Sequence, residues 1–254
     1  MTLAPAIAED AARPLQGEVL IAAWERGSEL PAALRALPLL AAGCGLDERQ
    51  AAAMDVPRRD AALLAVRRCS FGDALHGFAT CDACGERLEF ALSVAEVVEQ
   101  IGNAARHAGT ARHDDWSFEC RFATIGDIEA AAREADLEAG REVLLARCVS
   151  VLDANGRAIG FADLPPDVRA AAEQRLAAMH ETAELGVALA CAACGATQQV
   201  ALDPTEFLWE ETRHAARRLL ADVHELAWAY GWRESDIIGM SPARRAAYLG
   251  LVRS

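Results

Sequence analysis

Aromatic residues make up only 6% of this 254-residue chain, although 53% of it is hydrophobic. Apolar content built mainly on alanine and leucine favours close-packed helices over a β sandwich, and it is ample for a sizeable core. Basic charge is also scarce: 25 Lys and Arg face 38 Asp and Glu, giving a net charge of -13 and a pI near 4.9. That balance argues against nucleic acid as a partner, because phosphate binding needs a basic face, and it favours solubility. No uncharged run approaches the ~18 to 20 residues of a membrane span. The stretch Met1 to Pro14 carries acidic residues and lacks the apolar core of a signal peptide, so the expectation is a soluble, cytoplasmic protein without membrane contact. Catalytic signatures are missing too. There is no phosphate-binding glycine loop, no GxSxG elbow and no GxGxxG after a strand. His224-Glu225 begins like a zinc-protease helix but has Trp228 where the second histidine belongs, and His180-Glu181 fails likewise at Glu184. The carboxylates are spread along helix faces, and the six histidines stand apart from the cysteines, as surface or capping residues. No catalytic residue is assigned, and a non-enzymatic protein is expected.

What the chain does have is Cys81-Asp-Ala-Cys84-Gly85 and its echo Cys191-Ala-Ala-Cys194-Gly195. A two-residue gap lets both sulfurs of a pair face one ion, and the glycine permits a tight turn with amides directed at the thiolates. The likeness extends further, with Leu92 matching Leu202, Ser93 matching Asp203 and Glu96 matching Glu206. Each copy reads as strand, knuckle, strand, then a helix opened by a capping box. Two knuckle hairpins, about 75–92 and 183–202, are therefore expected from an internal duplication. Cys81, Cys84, Cys191 and Cys194 together would complete one four-cysteine structural Zn2+ site, with no coordination position left for water. The alternatives are redox CxxC pairs or half-sites completed by another chain. The redox alternative fits less well, since a thiol oxidoreductase knuckle opens a helix and here strand-like runs follow. Cys44, Cys69, Cys120 and Cys148 are read as buried small hydrophobes.

The rest of the pattern is mainly helical, so the fold class is α+β with a single helix-rich domain over 15–254 after a flexible tail, 1–14. Helices are predicted over Gln16 to Gly27, from Pro31 through Ala41, from Asp47 towards Met54, and over Arg58 to Cys69. The last carries Arg58, Arg59, Arg67 and Arg68, a solvated face or else a contact for an acidic partner. A helix from Ser93 to Asn103 precedes an exposed loop to Asp115, and Trp116, Phe118, Cys120 and Phe122 alternate as a half-buried strand. Short helices follow over Asp127 to Ala135 and Arg141 to Cys148. Val149 to Asp163 turns at Asn155-Gly156, and Pro165-Pro166 opens a helix ending near Met179. From Thr205 to Tyr230, Leu208, Ala216, Leu219, Val223, Leu226 and Tyr230 form one stripe ending at Gly231. Ser235 to Met240 and a helix capped by Ser241-Pro242 close the chain. Trp209, Trp228 and Trp232 are either core residues or anchors for a partner protein.

The series Arg58-Arg-Asp-Ala-Ala-Leu-Leu-Ala-Val-Arg-Arg, Phe71-Gly, Cys81-x-x-Cys-Gly-Glu-Arg-Leu-Glu-Phe, Arg147-Cys-Val, Leu164-Pro-Pro, Ala183-Glu-Leu, Cys191-x-x-Cys-Gly, Phe207-Leu-Trp-Glu-Glu and Ala229-Tyr-Gly-Trp resembles the T4-type baseplate protein family. The resemblance runs from Gly17 to Val252. It implies a baseplate hub assembly chaperone of contractile phage tails or contractile injection systems, which binds a hub or spike protein during assembly and catalyses nothing. An apolar groove beside the Thr205 to Tyr230 helix is expected to cover that partner. The alternatives are a permanent structural baseplate subunit and, from another class, a zinc-ribbon nucleic-acid adaptor. The adaptor lacks basic and aromatic residues around its knuckles.

Overall fold

The structure, a computed structural model, describes residues 12–104 and 109–253. It is 58% helical with three small antiparallel sheets, a mainly helical α+β fold. Helices α1 (Gly17–Ser28), α2 (Ala36–Cys44), α3 (Glu48–Ala52) and α4 (Val56–Phe71) come first. Asp47 and Asp55 start the last two by accepting the amides of Gln50 and Arg58. A hairpin of β1 (Ala74–Thr80) and β2 (Arg87–Ser93) leads into α5 (Val94–Ala104). Ser93 and Glu96 exchange hydrogen bonds there, forming the predicted capping box.

The middle of the chain builds a sheet in the order β3 (Gly109–His113), β4 (Trp116–Cys120), β5 (Val149–Leu152), β6 (Ala158–Ile159), covered by α6 (Ile125–Ala132), α7 (Leu137–Cys148) and α8 (Pro166–Glu181). Phe118, Val151, Leu145, Val168 and Met179 fill the core beneath it. A second hairpin, β7 (Gly186–Ala190) and β8 (Thr197–Ala201), feeds α9 (Pro204–Tyr230), after which α10 (Glu234–Ile238) and α11 (Pro242–Val252) pack back. Asp203 accepts the amides of Thr205 and Glu206 at the start of α9, and Gly231, at φ 66, ends it.

At 27 residues, α9 is the axis of the helical core. Leu208, Trp209, Leu219, Val223 and Leu226 lie inside with Leu20, Leu39, Leu63 and Val66. Two glycines set how closely the helices approach. A Cβ on Gly27 would stand 2.2 Å from the Trp209 ring, and one on Gly43 would stand 2.4 Å from Val66. A smaller cluster roots both hairpins on α4: Leu64 packs with Leu75, Val94 and Val97 of the first unit and with Leu185 and Leu202 of the second. Pairs 75 and 185, 92 and 202 thus share one apolar footing, which holds the two knuckles side by side.

Several expectations need correction. Ala12 packs on the core and the Arg13 amide donates to Gly43, so the chain is tied down before residue 14; 1–11 lie outside the described residues. After Pro31 comes a single 3-10 turn, Ala32–Leu34, before α2. The segment expected as an exposed loop up to Asp115 contains β3, because Asp114 turns the chain at φ 49 and lets polar residues pair with β4. The partner strand ends at Cys120, and Phe122 lies beyond it. Helices α6 and α7 begin two and four residues early, since Thr124 and Asp136 are the caps. Cys69 is exposed and Cys44 only half-buried, while Cys120 and Cys148 are buried as expected. The basic stretch of α4 is not one solvated face, since Arg58 is exposed and Arg67 is buried. Arg58 and Arg59 pair with Asp55 and Asp60, and Arg67, only 4% exposed, holds Glu211 of α9 through two bonds of 2.9 and 2.8 Å. The stripe on α9 expected to line a partner groove is buried in the protein's own core from Leu208 to Leu226, and only Tyr230 at its end is exposed.

The second core is held by a buried carboxylate. Asp127 is 1% exposed and accepts from Arg121 at 2.6 Å, Arg147 at 2.7 Å, and both the amide and hydroxyl of Thr124 at 2.9 Å. Burial alone would raise its pKa; the hydrogen bonds from Arg121, Thr124 and Arg147 win and hold it well below the usual carboxylate range. Its stabilising effect is therefore complete above the ordinary carboxylate pKa and is lost as pH falls through the depressed folded value. Asp127→Ala should destabilise the protein by about 2–3 kcal/mol, counting the lost cap and charged hydrogen bonds with both arginines free to reach water. Urea unfolding at neutral pH would show it, and the gap between variant and wild type should close in acid.

Candidate metal centre

The two knuckles fold alike because their local chemistry is alike. The Gly85 amide donates to Cys81 oxygen at 2.8 Å and the Cys81 amide to Glu86 oxygen at 2.8 Å; the Gly195 amide donates to Cys191 oxygen at 2.9 Å and the Cys191 amide to Ala196 oxygen at 2.8 Å. Gly85 and Gly195 both sit at φ 76, where a side chain would strain the turn. Each knuckle closes one hairpin, and a strand, not a helix, follows each pair.

These hairpins meet tip to tip. The Sγ atoms of Cys81, Cys84, Cys191 and Cys194 lie within 4.8 Å of one another, all from one chain. Pairing across the tips is reciprocal: Cys81 is 3.7 Å from Cys194 and Cys84 is 3.6 Å from Cys191. A tetrahedral ion with metal–sulfur bonds of about 2.3 Å requires sulfur–sulfur edges of about 3.8 Å, so the cluster fits such an ion. Four sulfurs fill that coordination shell and leave no place for a water or substrate. The first cysteine of each pair is inside, Cys81 and Cys191 at 1% and 2% exposure, and the second is outside. Leu88, Leu189 and Ala196 cover the inner sulfurs.

The thiols are unequal before an ion binds. The Glu86 amide favours a Cys84 thiolate, but contacts with Cys194 and Cys191 outweigh it and push Cys84 up to about 12. Amides of Cys194 and Ala193 act the other way, pulling Cys191 down to about 7 against the cost of burial. One thiolate thus forms readily and resists the ionisation of its neighbours. A bound cation reverses that resistance, so loading releases protons and acid expels the ion.

All four sequence-predicted ligands converge, and none of the histidines among the described residues joins them. Sequence reasoning missed Gln198. Its amide nitrogen donates to Thr80 oxygen at 2.9 Å while its carbonyl accepts from the Asp82 amide at 2.9 Å, sewing β8 to the first knuckle. The position equivalent to it in the first hairpin is Leu88, so the duplicated pattern gives no hint of this contact. Comparison with protein-family models, with curated proteins and with solved structures yields no match. The metal chemistry therefore rests on the residues themselves. Among the described residues, no helix is long and apolar enough to cross a membrane.

Treatment with a strong chelator should separate the tips while the helical cores persist. Hydrogen exchange at Ala74–Ser93 and Gly186–Ala201 should rise, interior amides of α4 and α9 should stay protected, and Cys81→Ser should reproduce the pattern with metal present. Hairpin protection indifferent to both treatments would contradict a metal clamp.

Proposed function

We propose that the cysteine cluster holds one structural zinc ion, that its two hairpins are copies of a duplicated unit, and that the protein is a non-enzymatic assembly chaperone acting on a hub or spike component of a contractile tail or injection system in the cytoplasm. An all-sulfur tetrahedral shell favours zinc over harder cations, and a filled shell suits stapling, not catalysis. Matching turn geometry at Gly85 and Gly195, and the shared footing of both hairpins on Leu64, favour the duplication.

The observation that carries the functional reading is where the family-like residues lie. Phe207, Trp209 and Glu211 form the joint of α9 with its neighbours, with Arg35 4.9 Å above the Trp209 ring and Arg67 5.8 Å above Phe207. Tyr230 and Trp232 stack at 4.4 Å and meet Tyr248 edge-on. Arg147 and Cys148 surround Asp127. The motif residues thus stand where they specify this architecture, which supports a resemblance of the whole body. Docking then falls to the outer surface, since the α9 stripe is occupied within.

Tagged protein should be captured from cells producing contractile particles, and both the capture and purified particles analysed by mass spectrometry. The chaperone role predicts a hub or spike protein in the capture and none of this chain in finished particles. A stoichiometric amount in the particles would make it a permanent subunit, and a capture without particle proteins would refute both.

A further inference from the structure

The outer side of α9 carries a second pattern. His214, Arg217, Ala221, His224 and Trp228 are exposed and spaced alternately by three and four residues, the interval at which one helix presents a seam to another. At 1.5 Å per residue the seam is about 21 Å long. Trp228 is 87% exposed, the largest apolar side chain so open to water, and Ala221 leaves room for close approach. The seam carries Arg217, with Arg218 beside it, and no carboxylate, in a chain of net charge -13. The five carboxylates of α9 are all paired: Glu206 with Arg35, Glu211 with Arg67, Asp222 with Arg245 and Glu225 with Arg253, while Glu210 pairs with Arg213 of the same helix. Among the described residues no carboxylate pairs with Arg217 or its neighbour Arg218.

We propose that this seam docks an acidic amphipathic helix of the partner protein, a step that rests on the assembly role above and names the surface that performs it. The partner's apolar ridge lies over Ala221 and Trp228, and its flanking carboxylates meet Arg217 and Arg218. The body as a whole is net acidic, so an acidic ligand is drawn to points where positive charge lacks a carboxylate partner, as at Arg217 and Arg218.

A fluorescein-labelled synthetic peptide of about three heptads, with leucine at a and d and glutamate at e and g, probes the seam by anisotropy, beside a version with lysine for glutamate. The glutamate peptide should bind, more tightly at low salt, and the lysine peptide should not. Arg217→Glu and Trp228→Ala should each weaken binding about tenfold, whereas Leu137→Ala, at an exposed leucine remote in sequence, should leave it unchanged. Arg217→Ala and Trp228→Ser stand in if circular dichroism shows that either variant has lost its fold. No binding of the glutamate peptide, equal binding of both peptides, or unaltered binding by the seam variants would overturn the proposal. So would light scattering that finds a dimer dissociated by Trp228→Ala, which assigns the seam to a second copy. Capture of hub protein by wild type and Trp228→Ala alike would remove the seam and leave the assembly role standing.

Discussion

Four sulfur atoms must share one small volume although the cysteines that meet across the tips are 107 and 113 positions apart. Thiol contacts alone are weak, and closing a loop of that size costs chain entropy that grows slowly with its length. An ion held by the four sulfurs would supply what is missing. By analogy with a disulfide closing a loop of about 100 residues, such a clamp constrains the unfolded chain by about 4–5 kcal/mol in the chain-entropy model. The hairpins need it more than the helices do. Each is an isolated two-stranded sheet, marginal in water, whereas α9 and its neighbours bury a continuous core.

The clamp is not the only device that joins distant segments. Leu64 provides an apolar footing for both hairpins, Arg67 with Glu211 ties α4 to α9, and Gln198 sews one tip to the other. The sheet of the middle region is bound to the helical core by a backbone bridge at Asp55 and Thr124, with Asp127 just behind it. Arg67 and Asp127 are buried at two of these joints and are held by several hydrogen bonds each. Specificity of docking between elements therefore comes from a few satisfied polar contacts set within a largely aliphatic interior.

Much of this was legible in the sequence. Helix caps at Asp47, Ser93, Asp203 and Ser241, the stop at Gly231 and the two knuckles are local signals, decided by residues within a turn of one another. The meeting of the four cysteines was legible because two identical CxxCG spacings each place a sulfur pair at a hairpin tip. What escaped depends on contacts between remote segments. Nothing near Arg67 in sequence announces Glu211, nothing near Gln198 announces Thr80, and the strand β3 is polar because its pairing needs only backbone. The stripe on α9 was found correctly but assigned to a partner, since periodicity reveals that a face is covered without revealing by what. Trp209 and Trp228 show the same limit: identical residues on one helix, one buried beneath Gly27 and the other 87% exposed.

One ion held by four sulfurs of a single chain has its own spectroscopic signature. X-ray absorption at the zinc edge, on protein whose bound metal and mass have been fixed by native mass spectrometry, reads that signature. The account predicts one zinc per monomer with four sulfur neighbours at about 2.3 Å and no light-atom ligand. A shell containing oxygen or nitrogen, or one zinc shared between two chains, would contradict it.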